Sequence, residues 1–491
     1  MPPFEAFVAW AVFAAAVILI IWRPKGLSEA VPAAAGAVIL IGLGVVPPGD
    51  LLDLFDIVGG AALTILSTIA MSIVMDGIGV FRWAAHNLVR LSRGSGVLLY
   101  WNVVLLCFLM TMFFNNDGSI LITTPILIRM LTMLRFSPRR QLPFLFAGAL
   151  VATASSAPIG VSNLANLIAM RIVGLDLETY TLYMFVPSLA GIGCIAGLVF
   201  VIFRGDIPRE IPTSAPDPHP GPQETVQRKQ DEGKAVERLP AHPPGRPAKT
   251  LPVHPAGKPS KSLPAHPLRF GPAEPGPAET GHLGLIRLTI GIVVLTRAGF
   301  FLGSGMGIPI EWIGLAGAAA LVLVRWIWLR RGPKDLITQA PWHIIVFAFG
   351  IYVIVHAFHQ SGAVDAATDF LGRQIDGDRF AAIFWMGGWL TLLSVLMNNL
   401  PAVMIGTMSL TGMHLETEVM QSAYMANILG SDIGALLVPV GTLASLLWMF
   451  ILRSHRIPIT WGKYVKVAFA VVPAGLVVSL FTLYFWTGLF Y

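Results

Sequence analysis

The chain has 491 residues, of which 55% are hydrophobic and only 12% are charged, and its net charge is +6. Soluble domains carry about 25% charged residues, so this composition excludes an ordinary soluble enzyme and predicts an integral membrane protein. Nucleic-acid binding is not indicated either, because the basic residues form short clusters beside apolar segments, as in the cytoplasmic loops of membrane proteins.

The first half of the chain opens with three apolar segments long enough to cross a bilayer, at 4–22, 30–47 and 57–75. An amphipathic stretch at 80–92 and a further apolar run follow. That run ends in Phe114-Asn115-Asn116-Asp117-Gly118, and the next helical stretch leads to Pro158-Ile159-Gly160. Polar and helix-breaking residues inside apolar sequence predict a re-entrant hairpin and a broken helix.

Residues 204–283 interrupt this pattern with proline, glycine and charged residues. A Leu-Pro-x-His-Pro unit recurs here with a period of 12 residues. Its copies are Leu239–Pro243, Leu251–Pro255 and Leu263–Pro267. Such a segment has too little apolar surface to offset the entropy of ordering it, so we predict a mostly disordered, Pro/His-rich cytoplasmic linker. The linker separates a first membrane repeat, 1–203, from a second one, 284–491.

The second membrane repeat has the same order of segments as the first. Its three apolar segments and its amphipathic stretch are 284–304, 308–329, 343–360 and 362–376. A second Asn-Asn segment, Met397-Asn398-Asn399-Leu400-Pro401, comes next and is followed by Pro439-Val440-Gly441. Internal repeats of this kind, interrupted at matching positions, are typical of secondary transporters.

Loop charges predict that the two halves cross the membrane in opposite directions. In the first half, basic residues follow the first span, the third span and the Asn-Asn hairpin, whereas only acids follow the second span. In the second half, the basic cluster follows the second span and acids follow the hairpin. By the positive-inside rule, every equivalent loop has changed sides. We therefore predict an all-α polytopic membrane protein made of two inverted repeats, with about ten transmembrane helices, two re-entrant hairpins and broken helices.

The predicted breaks contain the polar residues that a transport site needs. Asp117 and Asp432 each lie beside a break, where burial makes the charged form costly, so both are candidates for binding and releasing a coupling proton. The asparagine and hydroxyl side chains nearby could have a purely structural role, in which they hydrogen-bond neighbouring helices to each other. Their occurrence in four repeat-related clusters favours a shared site. The candidate substrate ligands are Asn115, Asn116, Asn163, Asn398, Asn399 and Thr442.

The other reactive residues do not form a catalytic or metal centre. Cys107 and Cys194 lie in separate apolar segments, and we interpret both as small core residues. His356 and His359 share a helix face but lack the third ligand of a membrane metallohydrolase, so we expect no enzyme, no cofactor and no metal site. Arg297 interrupts an apolar span and could snorkel to the interface or pair across the helix bundle.

At these motifs the sequence resembles the ArsB arsenite efflux family, within the ion transporter superfamily that includes NhaD-type antiporters and dicarboxylate carriers. The matching segments are Ile21 to Leu27, Asn116 to Gly118, Leu121 to Pro125, Val161 to Leu164, Ala340 to Trp342, Met397 to Asn399 and Pro439 to Trp448. The last of them is the most specific. The chain departs from the family at Ala152-Thr153, where an acid is usual, and at Gly434-Ala435-Leu436, where Gly-Pro-Lys is usual.

The resemblance implies that the protein exports trivalent arsenic or antimony across the bacterial inner membrane in exchange for protons. Some relatives also associate with a soluble ATPase, ArsA. Arsenite near neutral pH is mainly an uncharged trihydroxide, so amides, hydroxyls and backbone groups suit it, and two isolated cysteines cannot supply a three-thiolate site. One alternative is a sodium/proton antiporter of the NhaD type, and another is a different anion carrier of the superfamily. A third is a channel, but the inverted repeat argues against a channel.

Overall fold

The computed structural model describes residues 1–211 and 282–490, and most of these residues are helical. Within these two ranges no β-strand forms, and the only strand-like pairing is an isolated bridge between Ser95 and Glu210. The predicted all-α class is therefore confirmed. The predicted linker falls outside the described residues, except for its two ends.

The first membrane half contains one helix for each segment that its apolar pattern predicts. Its helices are α1 (Pro3–Trp22), α2 (Ala30–Gly42), α3 (Pro48–Ile78), α4 (Val80–Leu91), α5 (Gly96–Phe113), α6 (Asn116–Met133), α7 (Pro138–Ala154), α8 (Leu164–Val173) and α9 (Leu177–Phe203). Helices α5 and α6 form the first hairpin, and the irregular segment between α7 and α8 is the first broken helix.

The second half repeats this order, with one additional short helix, α12. Its helices are α10 (His282–Gly305), α11 (Ile310–Leu329), α12 (Lys334–Gln339), α13 (His343–Gln360), α14 (Asp365–Ile375), α15 (Arg379–Met397), α16 (Asn399–Gly412), α17 (Thr417–Asp432), α18 (Leu443–Ser454) and α19 (Trp461–Thr487). Helices α15 and α16 form the second hairpin, and two short 3₁₀ turns separate α17 from α18.

The described residues contain nine helices that are long and apolar enough to cross a membrane. They include α5 and α15, which belong to the two hairpins and not to the predicted full spans, and they leave out α2, which has only 13 residues, fewer than the roughly 20 that a full span requires. The third span begins at Pro48 rather than at residue 57, so Asp50, Asp53 and Asp56 belong to the helix and not to the preceding loop. Proline in the first turn and acids near a helix N-terminus both stabilise such a start.

Equivalent helices of the two halves make equivalent contacts. Helix α3, the third span of the first half, packs against α11, the second span of the second half. The equivalent third span of the second half, α13, packs against α2, the second span of the first half. Likewise, α6 packs against α18, and α16 packs against α8. Each of these pairs joins one helix of the first half to one of the second, so the halves interlock instead of forming separate domains.

The repeat-equivalent helices α9 and α19 run in opposite directions. The Trp486 indole, near the end of α19, donates a hydrogen bond of 2.8 Å to the Leu182 carbonyl, near the start of α9. Further along α9, Gly191 contacts Ser479, which lies earlier in α19. Later residues of one helix therefore meet earlier residues of the other. This antiparallel pairing of equivalent helices agrees with the inverted repeat that the loop charges predict.

The contact between α9 and α19 depends on small residues. A side-chain carbon added at Gly191 would collide with the Ser479 hydroxyl and with the backbone of Gly475. Close backbone approach through glycine and serine is a common way for helices to associate in a membrane, where no hydrophobic effect drives them together.

We expect Gly191→Leu to destabilise the protein by about 1–3 kcal/mol, because the side chain overpacks this contact. Thermal unfolding of the purified protein in detergent would measure the change as a lower melting temperature. Gly197→Leu is the matched control, since Gly197 lies on the same helix with open space around its α-carbon. Equal melting temperatures for the two variants would contradict the role of the glycine contact.

Candidate functional site

A small cavity lies where the two Asn-Asn segments meet. Its lining combines polar residues at helix ends with the apolar side chains of Ile65 from α3 and of Ile344 and Phe347 from α13. The cavity offers about 40 Å³ to the centres of water-sized molecules. One water needs roughly 10–15 Å³ by that measure. The space therefore suits a solute of only a few non-hydrogen atoms.

Most of the predicted site residues come together here. Five of the six predicted substrate ligands line the cavity, namely Asn115, Asn116, Asn163, Asn398 and Asn399. Asp117, one of the two predicted proton-coupling acids, lines it as well. The sixth ligand, Thr442, is buried directly before the lining residue Leu443, and its hydroxyl bonds to the Ser445 hydroxyl at 3.0 Å.

In the first half, two of these asparagines are helix N-caps. The side-chain oxygen of Asn115 accepts a bond of 2.7 Å from the backbone N–H of Gly118 and so begins α6. The side-chain oxygen of Asn163 accepts a bond of 3.0 Å from the N–H of Ala165 and begins α8. Capping satisfies backbone N–H groups that would otherwise be unpaired inside the membrane.

In the second half, the same two positions are capped in the same way. Asn398 accepts from the N–H of Leu400 at 3.5 Å and begins α16, while its amide donates to the Val440 carbonyl at 3.2 Å. Thr442 accepts from the N–H of Ser445 at 3.1 Å and begins α18. Asn398 adopts a φ of 79°, a conformation that L-residues rarely take, so the sharp turn at the second hairpin is held by these contacts.

The N-termini of four helices, α6, α8, α16 and α18, consequently converge on one cavity. Each N-terminus carries unpaired N–H groups and a partial positive charge of roughly half an elementary charge. Because capping uses the side-chain oxygens, the amide N–H groups of the asparagines remain as donors. Within the described residues, the amide nitrogens of Asn115, Asn116 and Asn399 have no hydrogen-bond partner. Such a site attracts oxygen lone pairs and disfavours cations.

Asp432 lies at the end of α17, and only 1% of it is exposed. Its carboxylate accepts three hydrogen bonds, all from the broken segment and the start of α8 in the first half. The donors are the Ser156 hydroxyl at 2.8 Å, the Asn163 amide at 2.9 Å and the Asn166 amide at 2.8 Å. Three donors to one buried carboxylate stabilise its charged form and join the two halves at their broken helices.

Asn163 is the residue that connects the Asp432 carboxylate to the cavity. It lines the cavity, caps α8 with its oxygen and donates to Asp432 with its amide nitrogen. The two predicted acids therefore differ in position, since Asp117 faces the cavity and Asp432 lies behind Asn163.

Sequence reasoning did not identify Ser156 and Asn166 as site residues, although both lie close to the predicted break at Pro158-Ile159-Gly160. One signal could have identified Asn166, because it follows Asn163 by three positions and so lies on the same face of α8. No local pattern distinguishes Ile65, Ile344 and Phe347 from other apolar residues in their helices, and only the packing of α3 and α13 brings them to the cavity.

Comparison with known proteins gives relatives along nearly the whole chain. The family model described as citrate transporter (CitMHS) matches residues 17–430. A Bacillus subtilis (strain 168) protein, named provisionally as an arsenical pump membrane protein, is 38% identical over 474 residues, which cover 96% of this chain and 98% of the relative. An Escherichia coli arsenical pump membrane protein is 30% identical over 472 residues, which cover 96% and 97%. An uncharacterized transporter of Mycobacterium tuberculosis is 26% identical over 209 residues, or 40% of this chain.

We expect Asn163→Ala to destabilise the protein by about 2–4 kcal/mol, because it removes both a helix cap and a hydrogen bond to a buried carboxylate. Asn163→Ser should cost less, since a serine hydroxyl still caps α8 although it no longer reaches Asp432. Melting temperatures of the two purified variants would separate the contributions. If the serine variant were as unstable as the alanine variant, the cap would contribute nothing.

Proposed function

Because the chain belongs to the arsenical pump membrane protein family, within the larger group that the citrate transporter model describes, we propose that it exports arsenite or antimonite across the bacterial inner membrane in exchange for protons. The protein is a multi-pass membrane transporter and not an enzyme. The substrate, the coupling ion and the direction of transport are the proposed part.

The cavity is the observation that carries this proposal. Arsenite is a trihydroxide with four non-hydrogen atoms, and antimonite has the same form, so either matches the small volume. The helix N-termini and the asparagine amides would donate hydrogen bonds to its hydroxyl oxygens. Cys107 and Cys194 are free thiols on α5 and α9 and do not line the cavity. A site without thiolates binds arsenic(III) weakly, as a carrier that must release its substrate requires.

The size of the cavity also argues against a tricarboxylate substrate. Citrate has 13 non-hydrogen atoms, whereas the space between the two Asn-Asn segments holds about three or four water-sized groups. The relation to the citrate transporter model therefore supports a shared fold more strongly than a shared substrate.

The placement of the two acids supports the proposed proton coupling. Asp117 lines the cavity, so a proton and a substrate hydroxyl group would compete for the oxygens of its carboxylate, which is the simplest basis for exchange. Protonation of Asp432 would remove the charge that strengthens its three hydrogen bonds, and so would loosen the contact between the two broken helices. Asn163 would transmit that change to the substrate.

A sodium/proton antiporter is less well supported by the same geometry. Sodium sites in transporters use backbone carbonyls at helix C-terminal ends, whereas this cavity is lined by helix N-terminal ends. An ArsA-type ATPase, if one docks on the cytoplasmic side, would add a second energy source without changing the cavity.

Everted membrane vesicles that contain the protein and no ATPase would test the proposal. We expect accumulation of radiolabelled arsenite when a proton gradient is imposed, and no accumulation when a protonophore abolishes the gradient. Sodium should neither be transported nor replace the proton gradient. Transport of sodium without arsenite would overturn the proposal in favour of the antiporter.

We expect Asp432→Asn to abolish the response of arsenite transport to a proton gradient, because the amide cannot bind and release the coupling proton. The variant should still fold, since asparagine has nearly the same shape and retains an acceptor for part of the cluster. Asp369→Asn, at an exposed acid on α14, is the control. Gradient-driven uptake by the Asp432 variant at the rate of the control would remove Asp432 from the coupling mechanism.

A further inference from the structure

Arg297 lies inside the apolar helix α10 and is only 6% exposed. A buried arginine is costly in a membrane, so such a residue needs partners that offset the loss of water. Its guanidinium group lies 5.2 Å from the centre of the Phe300 ring, but this contact alone does not satisfy its N–H donors.

The partners of Arg297 are two backbone carbonyls in the other half of the protein. Its Nε donates a hydrogen bond of 2.7 Å to the carbonyl of Phe113, and its Nη2 donates one of 2.7 Å to the carbonyl of Phe114. Nη2 also reaches the Phe113 carbonyl. Among the described residues no carboxylate forms an ion pair with this guanidinium.

These carbonyls lie at the end of α5, directly before Asn115. A helix C-terminus carries unpaired carbonyl oxygens and a partial negative charge, and within a membrane both must be offset by donors or by a cation. Helix-end carbonyls of this kind bind coupling cations in secondary transporters. In this chain the guanidinium group of Arg297 supplies the positive charge at the first hairpin, in place of a bound cation.

Among the residues in the two described ranges, no arginine donates to the carbonyls at the turn of the second hairpin. There the turn is held by Asn398, whose amide donates to the Val440 carbonyl. The two hairpins, which are equivalent in the repeat, therefore differ in charge. The difference places a fixed positive group at the hairpin that carries Asp117.

We propose that Arg297 is a positioning residue that replaces a bound inorganic cation at the first hairpin. By holding the Phe113 and Phe114 carbonyls, it fixes Asn115, Asn116 and Asp117 at the cavity and makes that hairpin independent of sodium. The role of Arg297 in transport rests on the proposed function. The binding of a cation in place of its side chain can be measured without any transport.

Arg297→Ala tests the inference, because it opens a space in which a free cation can reach the two carbonyls. We expect arsenite uptake by vesicles to fall at least about tenfold, since two buried carbonyls lose charged donors. Guanidinium or sodium at millimolar concentration should restore part of the uptake, whereas choline at equal ionic strength should not. Arg287→Ala, at an exposed arginine on the same helix, is the control and should behave as the unchanged protein.

A second measurement uses the purified proteins. Guanidinium or sodium should raise the melting temperature of the Arg297→Ala variant and leave those of the unchanged protein and of the Arg287→Ala control unaltered. Wild-type uptake by the alanine variant, or no response to either cation in both assays, overturns the inference. If the unchanged protein does not transport arsenite, the proposed function fails, and the melting temperatures still decide the role of Arg297.

Arg297→Lys covers the case in which the alanine variant does not reach the membrane. The lysine ammonium is a compact cation that can still approach the two carbonyls, so we expect insertion and arsenite uptake within about tenfold of the unchanged protein. Failure of the lysine variant to insert, or loss of uptake by an inserted lysine variant, would show that a positive charge at this position is not sufficient and would overturn the inference.

Discussion

The structure depends on one constraint, which is that backbone groups freed at a helix break inside a membrane must still find hydrogen-bond partners. The chain breaks its helices at four repeat-related places, and at each of them a side chain caps the helix that follows. The caps are Asn115, Asn163, Asn398 and Thr442. The residues that make the breaks possible are therefore also the residues that bring polar groups to the middle of the protein.

This double role explains the character of the cavity. Because the asparagine oxygens are used in capping, what remains toward the cavity are N–H groups, from side-chain amides and from the four helix N-termini. The site is rich in donors and has little capacity for cations, apart from the Asp117 carboxylate. A small hydroxylated solute fits this chemistry better than sodium does, and it fits the volume better than citrate does.

The two halves are alike in architecture but not in charge, and the differences lie where coupling is proposed. Asp432 has no counterpart acid at the break of the first half, where the sequence has Ala152-Thr153, and it holds that break through Ser156, Asn163 and Asn166. Arg297 holds the first hairpin, and within the part of the chain that the structure describes it has no counterpart at the second. The second half thus contributes both charged side chains, and each of them acts on the broken backbone of the first half.

The sequence alone determined the helical class, the order of segments and the positions of the breaks, because apolar length, helix-breaking residues and loop charges are local or periodic signals. It misplaced the start of α3, since acids compatible with a helix N-terminus read equally well as a loop. Only the tertiary structure decided that Asp432 lies behind Asn163, that α3 and α13 close the cavity and that Arg297 binds the carbonyls of α5. These contacts join residues that are distant in the sequence, by more than a hundred positions for Asp432 and for Arg297, and no property of either partner alone specifies the other.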